Sequence, residues 1–152
     1  MDVTLSLTHD CNLACSYCYA GEKKHQVMSW ETAQRALEFA FSFKSKSLQL
    51  GFFGGEPLLE WELLQRCNEE ADRLSKETGI GLVKTVTTNA TLVTPEKAAW
   101  LIKNDFVPAL SIDGNQAMHD ITRPLKGGKS SFEQCMDGLD ALLPHYSDTE
   151  VI

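Results

Sequence analysis

No apolar run in this sequence approaches the ~18 residues that a membrane-spanning helix needs. The first ten residues, Met-Asp-Val-Thr-Leu-Ser-Leu-Thr-His-Asp, lack the basic start and long apolar stretch of a secretory signal. Basic residues are in the minority: 14 Lys and Arg face 21 Asp and Glu, a formal charge of −7. Non-specific nucleic-acid binding depends on neutralising phosphates, so an acidic chain argues against it. Internal repeats and low-complexity tracts are missing as well. The 152 residues are 43% hydrophobic and 23% charged, the balance of a folded chain rather than a disordered one. Together these features predict a cytoplasmic protein, one domain or part of a larger one, with no membrane and no nucleic acid among its partners.

Cysteine, by contrast, is concentrated. There are five, an odd number, and three of them fall between Cys11 and Cys18. A disulfide framework takes an even count in a small secreted chain. Three thiols this close, with no export signal, point instead to a metal ion or an iron–sulfur cluster.

Along the chain, short β-rich runs alternate with longer segments of helical period. Val3 to Leu7 alternates with period two, as a strand does, and leads into the cysteine-bearing loop. Ser29-Trp30-Glu31 opens a helix with a capping hydroxyl and an acidic first turn; Trp30, Ala33, Leu37, Ala40 and Phe41 share one face. Leu48 to Phe53 reads as a second strand, followed by Gly54-Gly55-Glu56-Pro57 and a helix from about Pro57 to Glu77 that Gly79 and Gly81 stop. Leu82 to Thr88 is the third strand. Thr94-Pro95-Glu96 starts the next helix, Val107 to Ile112 is the fourth strand, and Asn115 to Ser130 reads as a long polar loop. Ser131 with Gln134 resembles a capping box opening a helix whose stripe is Phe132, Cys135, Leu139 and Leu142; Pro144 ends it. Val151-Ile152 would begin a fifth strand. Strand–helix units in series predict an α/β fold built on a parallel sheet with right-handed crossovers. Functional groups on such sheets gather at the carboxyl ends of the strands.

Both chemistry-bearing motifs meet that criterion. Cys11-x-x-x-Cys15-x-x-Cys18 follows the first strand, and three thiolates on a loop of this length can ligate one inorganic cluster. Three ligands leave one iron of a four-iron cluster open, whereas an electron-transfer cluster takes four. The alternative is a structural zinc site with His9 or His25 as the fourth ligand. Zinc sites usually pair two separated C-x-x-C knuckles, and no second knuckle exists here. Cys67 and Cys135 fall on apolar helix stripes and read as core residues. Alone, Gly54-Gly55-Glu56-Pro57 reads as a strand-to-helix turn.

The cysteine spacing, with Tyr17 just before the third cysteine, resembles the signature of the radical S-adenosylmethionine (SAM) enzymes. Gly54-Gly55-Glu56-Pro57 resembles their methionine-binding motif in spacing, type and position. Ser111-Ile112-Asp113-Gly114, His119-Asp120 and Arg123 are similar to the branch that modifies peptides and proteins. That branch includes the anaerobic sulfatase-maturating enzymes and maturases with a cysteine-rich SPASM extension. The resemblance covers about residues 3 to 143, with two departures: Thr88-Asn89-Ala90 stands for the family's Thr-Asn-Gly, and Asn115 for a proline after Asp-Gly. It implies that residues 1–152 are the N-terminal part of a radical SAM core, a partial (β/α)6 barrel truncated after about four β/α units. The remaining units and any SPASM domain would be absent.

The resemblance also assigns residues to a chemistry. Cys11, Cys15 and Cys18 would ligate a 4Fe-4S cluster whose open iron binds SAM. Reductive cleavage would give methionine and a 5′-deoxyadenosyl radical, which abstracts hydrogen from a peptide or protein side chain; flavodoxin or ferredoxin would be the reductant. Gly54 and Gly55 would let the backbone approach the methionine amino group, with Glu56 accepting its N–H bonds. A bulky residue at Gly55 is therefore expected to weaken SAM binding and spare the cluster. Tyr17 would lie near the adenine, and Ser111 and Arg123 would make polar contacts to SAM, Arg123 with its carboxylate. Asn89 would border the same pocket, while His119 and Asp120 would shape their loop. A radical SAM reaction on a small molecule, and a non-catalytic iron–sulfur or zinc-binding module, are the alternatives. Four units cannot close a barrel, so the fourth strand is expected to present an unpaired edge near Val107, Leu110 and Ile112. The chain would then self-associate, cleave SAM slowly at best and leave its physiological substrate unmodified.

Overall fold

The computed structural model describes residues 1–21, 24–145 and the backbone of 150–151. Five strands, β1 (Asp2–Thr8), β2 (Ser47–Gly54), β3 (Gly81–Thr88), β4 (Phe106–Leu110) and β5 (Glu150–Val151), form one sheet in sequence order. Every neighbouring pair is parallel. Parallel neighbours require crossovers, supplied here by α1 (Trp30–Phe41), α2 (Trp61–Thr78), α3 (Pro95–Lys103), and then α4 (Gln116–Thr122) with α5 (Phe132–Leu142). The predicted α/β class and parallel sheet are both present.

The period-two pattern of the strands is a burial pattern. Leu5, Leu7, Leu48, Leu50, Phe52, Val86, Phe106 and Leu110 join one core with Leu37, Leu64, Ala71 and Leu101 of the helices. On the opposite face Thr4, Gly51, Thr85 and Val107 stand in one row across the register. Lys84 is the exception on the core face: 5% exposed, its Nζ donates to Asn68 Oδ1 at 2.8 Å and Asp72 Oδ1 at 2.9 Å on α2. Asp72→Ala would leave that ammonium buried without its counter-charge. The expected loss of unfolding free energy is about 2–3 kcal/mol, below the figure for a fully enclosed pair because the Asp72 side chain is 35% exposed. Urea denaturation measures this, and a change within ~0.5 kcal/mol would mark the pair as an ordinary surface one.

Local signals set the element ends. Ser29 Oγ accepts the Thr32 N–H at the start of α1, Thr94 Oγ1 accepts the Lys97 N–H at the start of α3, and Gly79, at φ 73°, ends α2. Several expectations need correction. The helix expected from Pro57 begins as a 3-10 turn, Pro57–Glu60, because the Glu56 carboxylate takes the Leu58 N–H. Asn115 to Ser130 is not all loop: it contains α4, capped by the Asn115 side chain accepting from Met118 N. The Ser131–Gln134 capping box does not form. Ser131 has φ −111° and ψ −5°, and its hydroxyl donates to the Arg123 carbonyl at 2.5 Å instead. The fourth strand stops at Leu110, and its outer edge is paired by β5 through Ala109 with Glu150 and Leu110 with Val151. Leu110 is buried, so Val107 alone of the three expected edge residues is exposed. Ile152 lies outside the described residues. Among the described residues, no helix is long and apolar enough to cross a membrane.

Candidate active site

The carboxyl ends of β1 to β4 open into one cleft of about 160 Å³, smaller than the ~300–1,000 Å³ common for complete small-molecule sites. All ten residues singled out by sequence line it: Cys11, Cys15, Cys18, Tyr17, Gly54, Gly55, Glu56, Asn89, Ser111 and Arg123. Leu13, Phe53, Thr87 and Thr88 fill the wall between them, and Tyr19 stacks on Phe53 with ring centroids 6.1 Å apart.

The cysteine loop is fastened on two sides. On the β2 side, Gly55 N donates to Thr8 O and Glu56 N to Asp10 O, each at 2.8 Å. This approach leaves no room for side chains. A Cβ on Gly55 would lie 2.0 Å from Asp10 O, and one on Gly54 2.4 Å from Thr8 O; Gly54 also sits at φ 148°, which L-residues rarely adopt. The missing side chains therefore serve the seating of the cysteine loop on β2. On the other side, Ala14 N donates to Pro124 O, Ser16 N to Thr122 O and Lys126 N to Asn12 O, with Leu13 and Leu125 in an antiparallel bridge. Lys126 Nζ also meets Asp10 Oδ1 at 2.6 Å, and that hydrogen bond is the largest influence holding the Asp10 carboxyl below its ordinary range.

Glu56 ties three strand ends together. It is fully buried; Oε1 accepts from Leu58 N and Thr88 Oγ1, and Oε2 accepts from Asn89 N. Burial raises its carboxyl pKa, and the three hydrogen bonds and Lys97 oppose that rise. A carboxylate has about four acceptor sites, so one remains on Oε2. The Asn89 side chain bridges to the cysteine loop, meeting Asn12 and Cys11 Sγ. The turn beyond it places Ala90 at φ 64°, where the family's glycine would sit without cost and alanine costs about 1–2 kcal/mol.

Beyond β4, Asp113 is the hub. Its Oδ2 accepts from Tyr17 OH and Thr122 Oγ1, each at 2.7 Å. Burial would raise the Asp113 carboxyl, but hydrogen bonds from Thr122 and Tyr17 and the nearby Arg123 cation outweigh it and the net shift is downward. Burial of the Tyr17 hydroxyl, with its bond to Asp113, pushes that phenol up to about 12. Arg123 lies over the Tyr17 ring at 5.2 Å. Its Nε stands 3.0 Å from Asp113 Oδ1, an ion pair by distance, yet its N–H direction meets no acceptor. Ser111 N donates to Thr88 O, closing the gap between the ends of β3 and β4. His119 and Asp120 face away from the cleft chemistry. His119 Nδ1 accepts from Asp113 N, so Nε2 carries the proton and donates to Ser131 Oγ, while Asp120 accepts from Ser130 and Ser131.

The residues present fit an iron–sulfur cluster with a small polar ligand. Cys11 Sγ accepts N–H groups from Leu13 and Asn89, the environment a thiolate requires. The buried Arg123 N–H without an acceptor suits a ligand carboxylate. The zinc alternative fares worse: His9 Nδ1 accepts from Lys24 N, and the exposed His25 pairs with Asp10. Among the described residues, no three His, Cys, Asp or Glu side chains converge on a single ion, the three loop cysteines included.

Residues 5–151 match the family model of the Radical SAM superfamily, and the chain belongs to that superfamily. It is 33% identical over 139 residues to the uncharacterized protein MJ0907 of Methanocaldococcus jannaschii, covering 89% of this chain and 46% of that one. It is 34% identical over 145 residues to the serine-type anaerobic sulfatase-maturating enzyme of Bacteroides thetaiotaomicron, covering 89% of this chain and 34% of the relative. The fold matches that of a structure described as native anSMEcpe with bound AdoMet and Cp18Cys peptide: TM-score 0.87 at 22% identity, over 99% of this chain and 41% of the other. The chain thus spans less than half the length of these proteins.

Proposed function

We propose that this chain provides the SAM-cleaving part of a radical SAM enzyme that acts on a peptide or protein side chain. The observation that carries the reading is the convergence of Cys11, Cys15 and Cys18 with Gly54–Glu56, Asn89, Ser111 and Arg123 on one cleft at the carboxyl ends of four parallel strands. Cys11, Cys15 and Cys18 would hold a 4Fe-4S cluster, with SAM beside it. When bound, that pair supplies reductive cleavage of the SAM carbon–sulfur bond to methionine and a 5′-deoxyadenosyl radical, the electron coming from a flavodoxin or ferredoxin. The chain's own residues bind and orient. Arg123, on the cleft wall, would set its positive charge against the ligand carboxylate, Glu56 would offer its remaining acceptor site to the ligand amino group, and Tyr17 would present its ring at the mouth. Leu13 and Phe53 limit water at the cleft wall. A peptide-type substrate is supported by the serine-type and cysteine-type sulfatase-maturating relatives. A cytoplasmic setting belongs to the same proposal.

Anaerobic reconstitution with iron and sulfide tests the reading. The expected uptake is about four irons per chain, with methionine and 5′-deoxyadenosine released on reduction in the presence of SAM. Alanine at Cys11, Cys15 or Cys18 should abolish iron uptake. Cys67→Ala should not, since Cys67 is enclosed in the core and burial lifts its thiol to about 11. Stoichiometric zinc with no iron uptake would overturn the proposal.

A further inference from the structure

We infer that Asn89 is a positioning residue for the iron–sulfur site: its carboxamide, locked by Asn12 and Thr91, donates an N–H···S hydrogen bond to Cys11 and raises the reduction potential of a cluster held there. The inference rests on the cluster reading above. Asn89 Nδ2 stands 3.7 Å from Cys11 Sγ and 2.9 Å from Asn12 Oδ1. Which end of the carboxamide faces the sulfur is fixed by the backbone. The Thr91 N–H can only donate, and it meets Asn89 Oδ1 at 3.1 Å. The NH2 group must therefore occupy the other end, toward Cys11.

Three side chains then close a ring in which each donor meets an acceptor. Thr91 Oγ1 donates to Asn89 Oδ1 at 2.6 Å and accepts from Asn12 Nδ2 at 2.7 Å, and Asn12 Oδ1 accepts from Asn89. The Asn89 backbone is pinned as well, its N–H meeting Glu56 Oε2 at 2.8 Å. Asn89 and Cys11 are each 6% exposed, so the contact lies where hydrogen bonds are little screened by water. Hydrogen bonds to cluster sulfurs favour the reduced, more negative state and so raise the potential. The Asn12–Thr91 ring prevents the donor from rotating away.

The test uses the whole chain, reconstituted anaerobically and titrated potentiometrically with electron paramagnetic resonance as readout. Iron content and apo-protein melting temperature are measured in parallel. Asn89→Ala should make one-electron reduction about tenfold less favourable, a downward shift of about 59 mV. Asn89→Asp replaces the donor with a carboxylate and should shift the potential further down. Thr91→Val keeps the donor but loosens the ring, and should give a smaller shift of the same sign with iron content unchanged. Wild-type potentials in all three iron-loaded variants would overturn the inference. So would loss of iron from both Asn89 variants with Thr91→Val at the wild-type potential, which would make Asn89 a loop anchor only. If the wild-type chain takes up no iron, the cluster reading itself falls, an outcome read before any variant is compared.

Discussion

Gly55→Ala is expected to abolish iron uptake and SAM binding together. The added methyl would lie 2.0 Å from Asp10 O and 2.5 Å from Asp10 C, both backbone atoms with no rotamer to retreat into. Relief requires β2 and the cysteine loop to separate, breaking the Gly55–Thr8 and Glu56–Asp10 hydrogen bonds at the root of Cys11. Overpacking of this kind costs about 3 kcal/mol or more when the backbone must move. The sequence alone suggested a different outcome, with ligand binding weakened and the cluster spared, because it assigned the glycine to the ligand. Iron analysis and SAM binding on the same preparation decide between the two. Gly81→Ala serves as the control: its Cβ would meet nothing closer than 3.5 Å, so it should leave both unchanged. A Gly55→Ala protein that keeps its iron and loses only SAM would restore the ligand explanation.

The second large effect is expected at Glu56. Glu56→Ala strands three buried donors, Leu58 N, Thr88 Oγ1 and Asn89 N. Each stranded donor costs about 1–3 kcal/mol, so a combined loss of roughly 3–5 kcal/mol in unfolding free energy is expected. Glu56→Gln retains one carbonyl acceptor and should lose less. The two proteins should also differ in pH dependence. Burial raises the Glu56 carboxyl pKa above the ordinary glutamate value of 4.5, so the folded state binds that proton more tightly than the unfolded chain. The corresponding stability is complete below pH 4.5 and is lost as pH rises through the folded-state pKa. The glutamine variant has no such proton, so its deficit relative to wild type should shrink on going from acid to neutral pH. Urea denaturation across that interval provides the measurement; a deficit constant with pH would show that Glu56 does not titrate there.

The two motifs and the parallel sheet were legible because both depend on near neighbours. Period-two burial marked β1 to β4, and the spacing of Cys11, Cys15 and Cys18 sits within one loop. The strand-end rule then brought all ten candidate residues into one cleft. What stayed hidden depends on partners far apart in sequence. Asn12 meets Thr91 and Asn89 across 79 and 77 residues, and neither partner carries a local pattern that names the other. The seating of the cysteine loop on the Gly54-Gly55 pair stayed hidden for the same reason, since the backbone it presses on belongs to residues 8–10. Helix α4 was a different kind of miss. Asn115, three residues before Met118, is a serviceable cap, but the polar composition of the segment and its short length masked it. Ser131 was misread because its hydroxyl has a nearer use, joining His119 to the Arg123 carbonyl.

The strap formed by Thr122 to Lys126 has a bearing on the order in which the protein is made. Asp10, at the root of the cysteine loop, and its strap partner Lys126 are 116 positions apart. Ribosomes add about 5–20 residues per second, so the triad leaves the tunnel on the order of ten seconds before the segment that closes over it. During that interval the β2 side can already seat the loop through Gly55 and Glu56, while the opposite side stays open. The thiols are then within reach of an iron–sulfur delivery system, and equally within reach of an oxidant.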